Sequence, residues 1–151
     1  MGDVLKLSTT NMIRNAKEIH PDKLLLVRIG KFYHAYGKDA YILSFLFNYQ
    51  LKKVKQNVNT AGFPEAALNK VEKILEDKKV DYMVLDKASD YDVLEDESFK
   101  DQNQYDVIYG KAHKYVTRKN KIDAIYEHLI SNISAEDTRE KINQIEEILY
   151  E

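Results

Sequence analysis

Apolar and polar positions along this chain fall into a few distinct rhythms, and each predicts a different element. In residues 8–19, Met12, Ile13, Ala16 and Ile19 recur at helical spacing behind Ser8 and Thr9, either of which can cap the free amides of a first helix. Pro21 ends that helix. Leu24, Leu25, Leu26, Val27 and Ile29 then make a nearly continuous apolar run between Pro21-Asp22 and Gly30, the pattern of a strand buried on both faces. Gly30 permits a tight turn. After it Phe32, Tyr33 and Tyr36 are aromatic while Lys31, His34 and Lys38 are polar or basic, so a short, half-exposed segment can present one ring outward.

Residues 38–47 are apolar on nearly every side, through Ile42, Leu43, Phe45, Leu46 and Phe47, which predicts a mostly buried helix. In 49–54 the residues alternate, with Tyr49 and Leu51 on one face and Gln50 and Lys52 on the other, as in a half-buried strand. Residues 58–61 return as its partner, in a hairpin whose turn contains Gln56-Asn57 and whose edge carries Lys52, Lys53 and Lys55. Gly62 and Pro64 are expected to turn the chain into the next helix, Pro being well placed in a first helical turn. Ala67, Val71, Ile74 and Leu75 give that helix one apolar face, and Lys78-Lys79 suits the negative end of its dipole. Residues 80–85 read as a further strand, expected to be central, and the acidic stretch 86–101 as a loop or short exposed strand around Tyr91-Asp92-Val93-Leu94.

The remainder is helical. Tyr105, Ile108, Tyr109, Ala112, Tyr115 and Val116, then Ile122, Ile125, Tyr126, Leu129 and Ile133, recur at three- and four-residue steps in one long helix or two. Ser134, with Asp137 three residues on, is the expected cap of a last helix lined by Ile142, Ile145, Ile148 and Leu149. The fold class is therefore α+β, a small mixed β-sheet flanked by helices over residues 1–100, followed by a C-terminal helical hairpin over 101–151. That hairpin can pack on itself, on the sheet or on a second copy. Most of the eleven tyrosines sit on these apolar stripes, among them Tyr82, Tyr105, Tyr109, Tyr115 and Tyr126, where core packing explains them better than base stacking.

Composition narrows the function classes. The 44% hydrophobic and 32% charged residues of this 151-residue chain are those of a globular protein with one ordinary core and an extension. Without cysteine there are no disulfides, thiolate zinc sites or thiol nucleophiles, which suits a cytoplasmic setting. The start shows no charged-then-apolar signal pattern, Lys6 stands where a myristoylation motif needs Ser or Thr, and the longest apolar run, residues 41–47, is too short to span a bilayer. A net charge of −2 and a pI near 6.1 mean that any nucleic-acid affinity must be local, because nonspecific affinity comes largely from Lys and Arg at phosphates. The charge is segregated, acidic from Asp86 to Asp101 and basic through Lys111, Lys114, Arg118, Lys119 and Lys121.

Catalytic signatures are missing. No Gly-rich phosphate loop ends in Lys-Ser or Lys-Thr, no G-x-S-x-G elbow or HExxH helix occurs, and the acidic cluster lacks the glycine and spacing of a calcium loop. His20, His113 and His128 have no ligand-like spacing. The expectation is a non-enzyme without a metal or other cofactor.

Two separated stretches carry a family resemblance. Arg28, Gly30, Phe32, Tyr33, Asp39 and Ala40 stand in the first, and TAGFPEAALNKVEKILEDKKVDYMVLDK forms the second. Over residues 8 to about 86 the chain resembles the N-terminal mismatch-recognition domain, domain I, of the MutS-type DNA mismatch-repair ATPases. The resemblance implies that Phe32 takes the place of a phenylalanine that wedges beside a mismatched base. It also marks two departures: His34 stands where the family has a base-bonding Glu, and Lys31 where it commonly has Asp. The nucleic-acid-binding residues expected on this basis are Phe32, His34, Lys31, Lys38, Lys52, Lys53 and Lys55. The expected function is a stand-alone module that contacts mismatched, distorted or unpaired DNA, or a hybrid, and leaves any catalysis to a partner. The alternative is a protein-interaction or scaffold protein that uses its C-terminal helices, as a homodimer or with another chain, and binds no nucleic acid.

Overall fold

The computed structural model describes residues 8–54 and 57–151, so Lys55, the first residue of the expected Gln56-Asn57 turn and the N-terminal stretch 1–7 lie outside the described residues. In chain order the elements are α1 (Thr9–Ile19), β1 (Leu24–Ile29), β2 (Phe32–Tyr36), α2 (Lys38–Phe47), β3 (Lys52–Val54), β4 (Val58–Pro64), α3 (Leu68–Asp77), β5 (Tyr82–Asp86), β6 (Asp92–Glu97), α4 (Tyr105–Ser131) and α5 (Glu136–Leu149). One compact unit extends through Val116 and a second comprises Thr117–Glu151, with α4 contributing to both.

The first unit is a mixed six-stranded sheet in the order β3-β4-β2-β1-β5-β6, with β1 and β5 parallel and the other pairs antiparallel. The continuous apolar run Leu24–Leu26 with Val27 is fully buried because β1 has a cluster on each face. On one face Leu24, Leu26, Tyr33, Ala35, Phe63, Tyr82 and Val84 pack under α2, α3 and the first turns of α4. On the other, Leu25, Val27, Met83 and Leu85 pack against Ile13 of α1. Ser8 caps α1 as its pattern predicts, its Oγ accepting from the Asn11 amide at 3.2 Å.

Buried Asp39 ties four elements together. It accepts from the Leu25 amide at 3.0 Å, from Lys17 Nζ at 3.0 Å and from the Tyr105 hydroxyl at 2.5 Å, linking α2 to β1, α1 and α4. Burial pushes its carboxyl above the usual value, and Lys17, Tyr105 and the Leu25 amide oppose that push.

Two expectations for the sheet are corrected. Residues 62–64 do not turn into a helix but stay in β4, because Tyr33 pairs with Phe63 and Phe32 with Pro64. A short 3-10 turn, Glu65–Ala67, then leads into α3. Of the strand expected over 49–54 only Lys52–Val54 is laddered; Tyr49 and Leu51 pack against the core instead, Tyr49 stacking on Phe63 with centroids 5.5 Å apart. β5 is an interior strand, as expected, paired with β1 on one side and β6 on the other. The acidic stretch does form an exposed edge strand, β6.

The second unit is an antiparallel helix pair, since α4 continues unbroken to Ser131 and a short turn leads into α5. Its cap is not Ser134. Ala135 occupies the N-cap position without a side-chain bond, and Thr138 Oγ1 instead donates to the Asn132 carbonyl at 2.6 Å across the turn. The tyrosine rule also fails here, for Tyr126 is 59% exposed.

Candidate functional site

The site is built on the β1–β2 hairpin. Gly30 adopts φ +62° at the first position of its two-residue loop, the conformation a II′-type hairpin requires. Arg28 braces that loop: its Nε donates to the Gly30 carbonyl at 3.4 Å and its Nη2 pairs with Glu65 at 2.8 Å. The Glu65 amide in turn donates to the Lys31 carbonyl at 2.9 Å. The hairpin tip is therefore tied both to itself and to the end of β4.

Alternation along β2 sends Tyr33 and Ala35 into the core and leaves Phe32, His34 and Tyr36 on the opposite face. Phe32 is 50% exposed. Its ring centroid lies 6.4 Å from that of His34, and His34 lies 6.5 Å from Tyr36, both pairs tilted. The three rings form a row along the strand. Beneath the row, His34 pairs with Gly62 of β4, where a Cβ would stand 2.9 Å from His34 Nδ1 and 3.1 Å from the Tyr33 carbonyl. The missing side chain at Gly62 lets the imidazole lie down on the sheet. Partial burial there holds the His34 pKa below its usual 6.5, so the ring is neutral at pH 7.

The backing of this row is stiff. On the core side Tyr33 stacks on Phe63 at 5.6 Å, Phe63 on Tyr49 at 5.5 Å and Tyr49 on Phe47 at 5.4 Å.

The expected lysines divide. Lys31 is exposed in the loop next to Phe32, and Lys52, opposite Thr60 in the β3–β4 ladder, shares the face of Tyr36 and His34. Lys53 is the next residue along β3 and alternates to the other face. Lys38 opens α2 with its ammonium 5.0 Å from the Tyr109 ring centroid. Sequence reasoning missed what lies at the far end of the ring row. There Tyr36, Gly37 and Lys38 meet Thr10, Ile13, Arg14 and Lys17 of α1 around a cavity of about 220 Å³. The signal was the helical spacing of Arg14 and Lys17, three apart on α1 and flanking Ile13 and Ala16.

With this geometry in view, sequence comparison is decisive. The MutS domain I family profile matches residues 10–118, covering the sheet, its helices and the first half of α4. The chain belongs to the MutS domain I family. It is 40% identical over 78 residues, half of its length, to the DNA mismatch repair protein MutS of Thermosipho melanesiensis. It is 37% identical over 73 residues, 46% of its length, to the MutS of Parabacteroides distasonis, and 41% over 61 residues, 40% of its length, to that of Thermotoga petrophila. The matched parts are 9%, 8% and 8% of those relatives, so the chain spans less than a tenth of their length. Among the described residues no helix is long and apolar enough to cross a membrane.

Proposed function

We propose that this MutS domain I protein is a nucleic-acid recognition module that reads mismatched, distorted or unpaired DNA, or a hybrid, through Phe32. The observation that carries the reading is the half-exposed Phe32 ring at the braced tip of the β1–β2 hairpin, leading a row of rings on a stiff sheet. An apolar wedge of this kind enters a base step that is already weakly stacked, where unstacking costs least. His34 beside it, neutral at pH 7, offers one ring nitrogen as donor and one as acceptor to a base edge, where a carboxylate could only accept.

Lys31 and Lys52 supply phosphate contacts that the overall charge of −2 does not, and Lys38, Lys53 and Lys55 are the further candidates from the sequence. Recognition falls to residues 1–100, the extension 101–151 serves partners, and the chain itself performs no chemistry, in a cytoplasmic setting. A second reading, interaction through the C-terminal helices, is favoured by the apolar side chains they leave exposed, and it is compatible with the first.

Fluorescence anisotropy with matched duplex, mismatched duplex, single strand and RNA–DNA hybrid at two salt concentrations tests the proposal. Selective binding is expected, weakened in Phe32→Ala by about 1–3 kcal/mol per stacked base, or roughly five- to 150-fold in Kd. Absence of binding to all four nucleic acids rejects it.

A further inference from the structure

On the β4 side the ring row has low neighbours. There Phe32 faces Pro64 and His34 faces Gly62, so the strand beside the rings offers a proline and a bare backbone, both exposed. On the β1 side the same face carries Val27, which is fully buried, and Ile29. The result is a shallow trough with three rings along it. It ends at α1, where Ile13 packs against Tyr36.

Ring spacing and cavity size together choose what lies in it. The rings follow one another at 6.4 and 6.5 Å, whereas stacked bases along one strand of a duplex follow at about 3.4 Å. Successive duplex bases therefore cannot each meet a ring, and a duplex uses Phe32 alone. A strand whose bases have come apart can set one base on each ring, as single-strand binders do on successive aromatic side chains. The cavity at the end of the row has about 220 Å³. That is below the roughly 300–1,000 Å³ of pockets for drug-sized ligands and about seven times the volume of a water in the liquid, which is room for one base. Its apolar walls are Ile13, Tyr36 and Val58, and Thr10, Arg14 and Lys38 supply its polar ones. Arg14 and Lys38 are exposed. Lys52 lies level with Tyr36, since both pair with Thr60.

We infer that the trough is the seat of an unpaired, unstacked DNA strand, with one base on Phe32, the next on His34 and the third in the cavity against Tyr36. The phosphates on either side of that third base fall to Arg14, beside the cavity, and to Lys52 across the sheet. Lys17 takes no phosphate, because its ammonium is held by Asp39 at 3.0 Å. The inference rests on the recognition reading above and names its substrate: of the mismatched, distorted and unpaired forms, the unpaired one.

Fluorescence anisotropy of the full chain with oligothymidylates of increasing length, matched duplex and mismatched duplex tests it. Affinity for oligothymidylate is expected to rise steeply until about three or four nucleotides are present and slowly after that, and to exceed the affinity for matched duplex about tenfold. Arg14→Gln is expected to lower the log–log salt slope for the single strand by about 0.7, the amount one phosphate contact carries there, which a purely structural arginine would leave unchanged. Val58→Phe fills the cavity. With circular dichroism unchanged, it is expected to weaken single-strand binding about tenfold, and an abasic site at one end of the bound stretch, costly in the wild-type chain, then costs nothing more. A single strand bound no more tightly than matched duplex, or a slope unmoved by Arg14→Gln, overturns the inference. Selective binding of mismatched duplex that Phe32→Ala removes and the two cavity variants leave intact keeps the recognition reading and removes only this seat. Absence of binding to all of these nucleic acids removes both.

Discussion

The two units of this chain draw on similar apolar residues and use them in opposite ways. In the unit through Val116, β1 is covered on both faces and Leu24, Leu25, Leu26 and Val27 are fully buried, whereas in Thr117–Glu151 the isoleucines recur at equally regular spacing and most remain in contact with water. The difference lies in the number of layers. A sheet with helices on each face closes two cores at once, but two helices side by side share one seam and expose the rest of their apolar arcs. Regular hydrophobic periodicity thus marks a surface that wants covering, and only the tertiary arrangement decides whether the same chain covers it.

The largest expected effect breaks the first unit at the point where its layers are joined. Asp39→Ala removes the acceptor shared by Leu25, Lys17 and Tyr105 and leaves the Lys17 ammonium and two further donors without it. Breaking a buried charge pair in this way costs about 3–5 kcal/mol. Urea denaturation is expected to show that loss, while Ile148→Ala in the second unit, at 73% exposed, changes the same transition by less than about 0.5 kcal/mol. Similar losses for both would mean that the two units do not differ in the way their burial indicates.

Much of this arrangement was legible in the sequence. The run Leu24 to Ile29 announced a strand covered on both sides, the all-round apolarity of residues 38–47 a buried helix, and Phe32 an outward ring, because each depends on local pattern alone. The end of β4 was not legible. Gly62 and Pro64 are turn formers by propensity, yet pairing with β2, nearly thirty residues away, keeps them extended. The same nonlocal pairing gives Gly62 its place under His34, which no pattern in residues 58–64 reveals. Lys52 and Lys53 looked like one basic cluster until strand alternation sent them to opposite faces. Tyr126 looked like core because it continues the stripe of Tyr105, Ile108 and Ala112, but it falls in the two-helix unit, whose single seam leaves it 59% exposed.

An intermediate effect sharpens the view of the sheet as a stiff support for the ring row. Gly62→Ala puts a methyl group 2.9 Å from His34 Nδ1, which can swing away, and 3.1 Å from the Tyr33 carbonyl, which can yield only if β2 and β4 shift. Overpacking of this kind costs about 1–3 kcal/mol. The variant is expected to fold with a lower urea midpoint and with displaced imidazole resonances for His34, while those of His113 and His128 on α4 stay in place. Unmoved His34 resonances would show that the ring does not lie on Gly62.

The smallest effect concerns the same imidazole and its proton. Partial burial depresses the His34 pKa below 6.5, so the folded protein favours the neutral ring relative to the unfolded chain. The contribution to stability is therefore fully present above pH 6.5. It declines as pH falls from there through the lower folded value, because the unfolded chain takes up its proton first. Since the ring is half exposed, solvent screens much of the effect and the decline is shallow. In His34→Gln that component of the pH dependence disappears, which urea midpoints between pH 7.5 and 5 would resolve against the other three histidines. If Phe32 and His34 act together on nucleic acid, the same protonation adds a cation at the site, and the salt dependence of binding should steepen by about 0.9 in log–log slope as pH falls. A slope that is constant with pH in the wild-type chain, with the stability decline still present, would place His34 in the sheet but outside the contact.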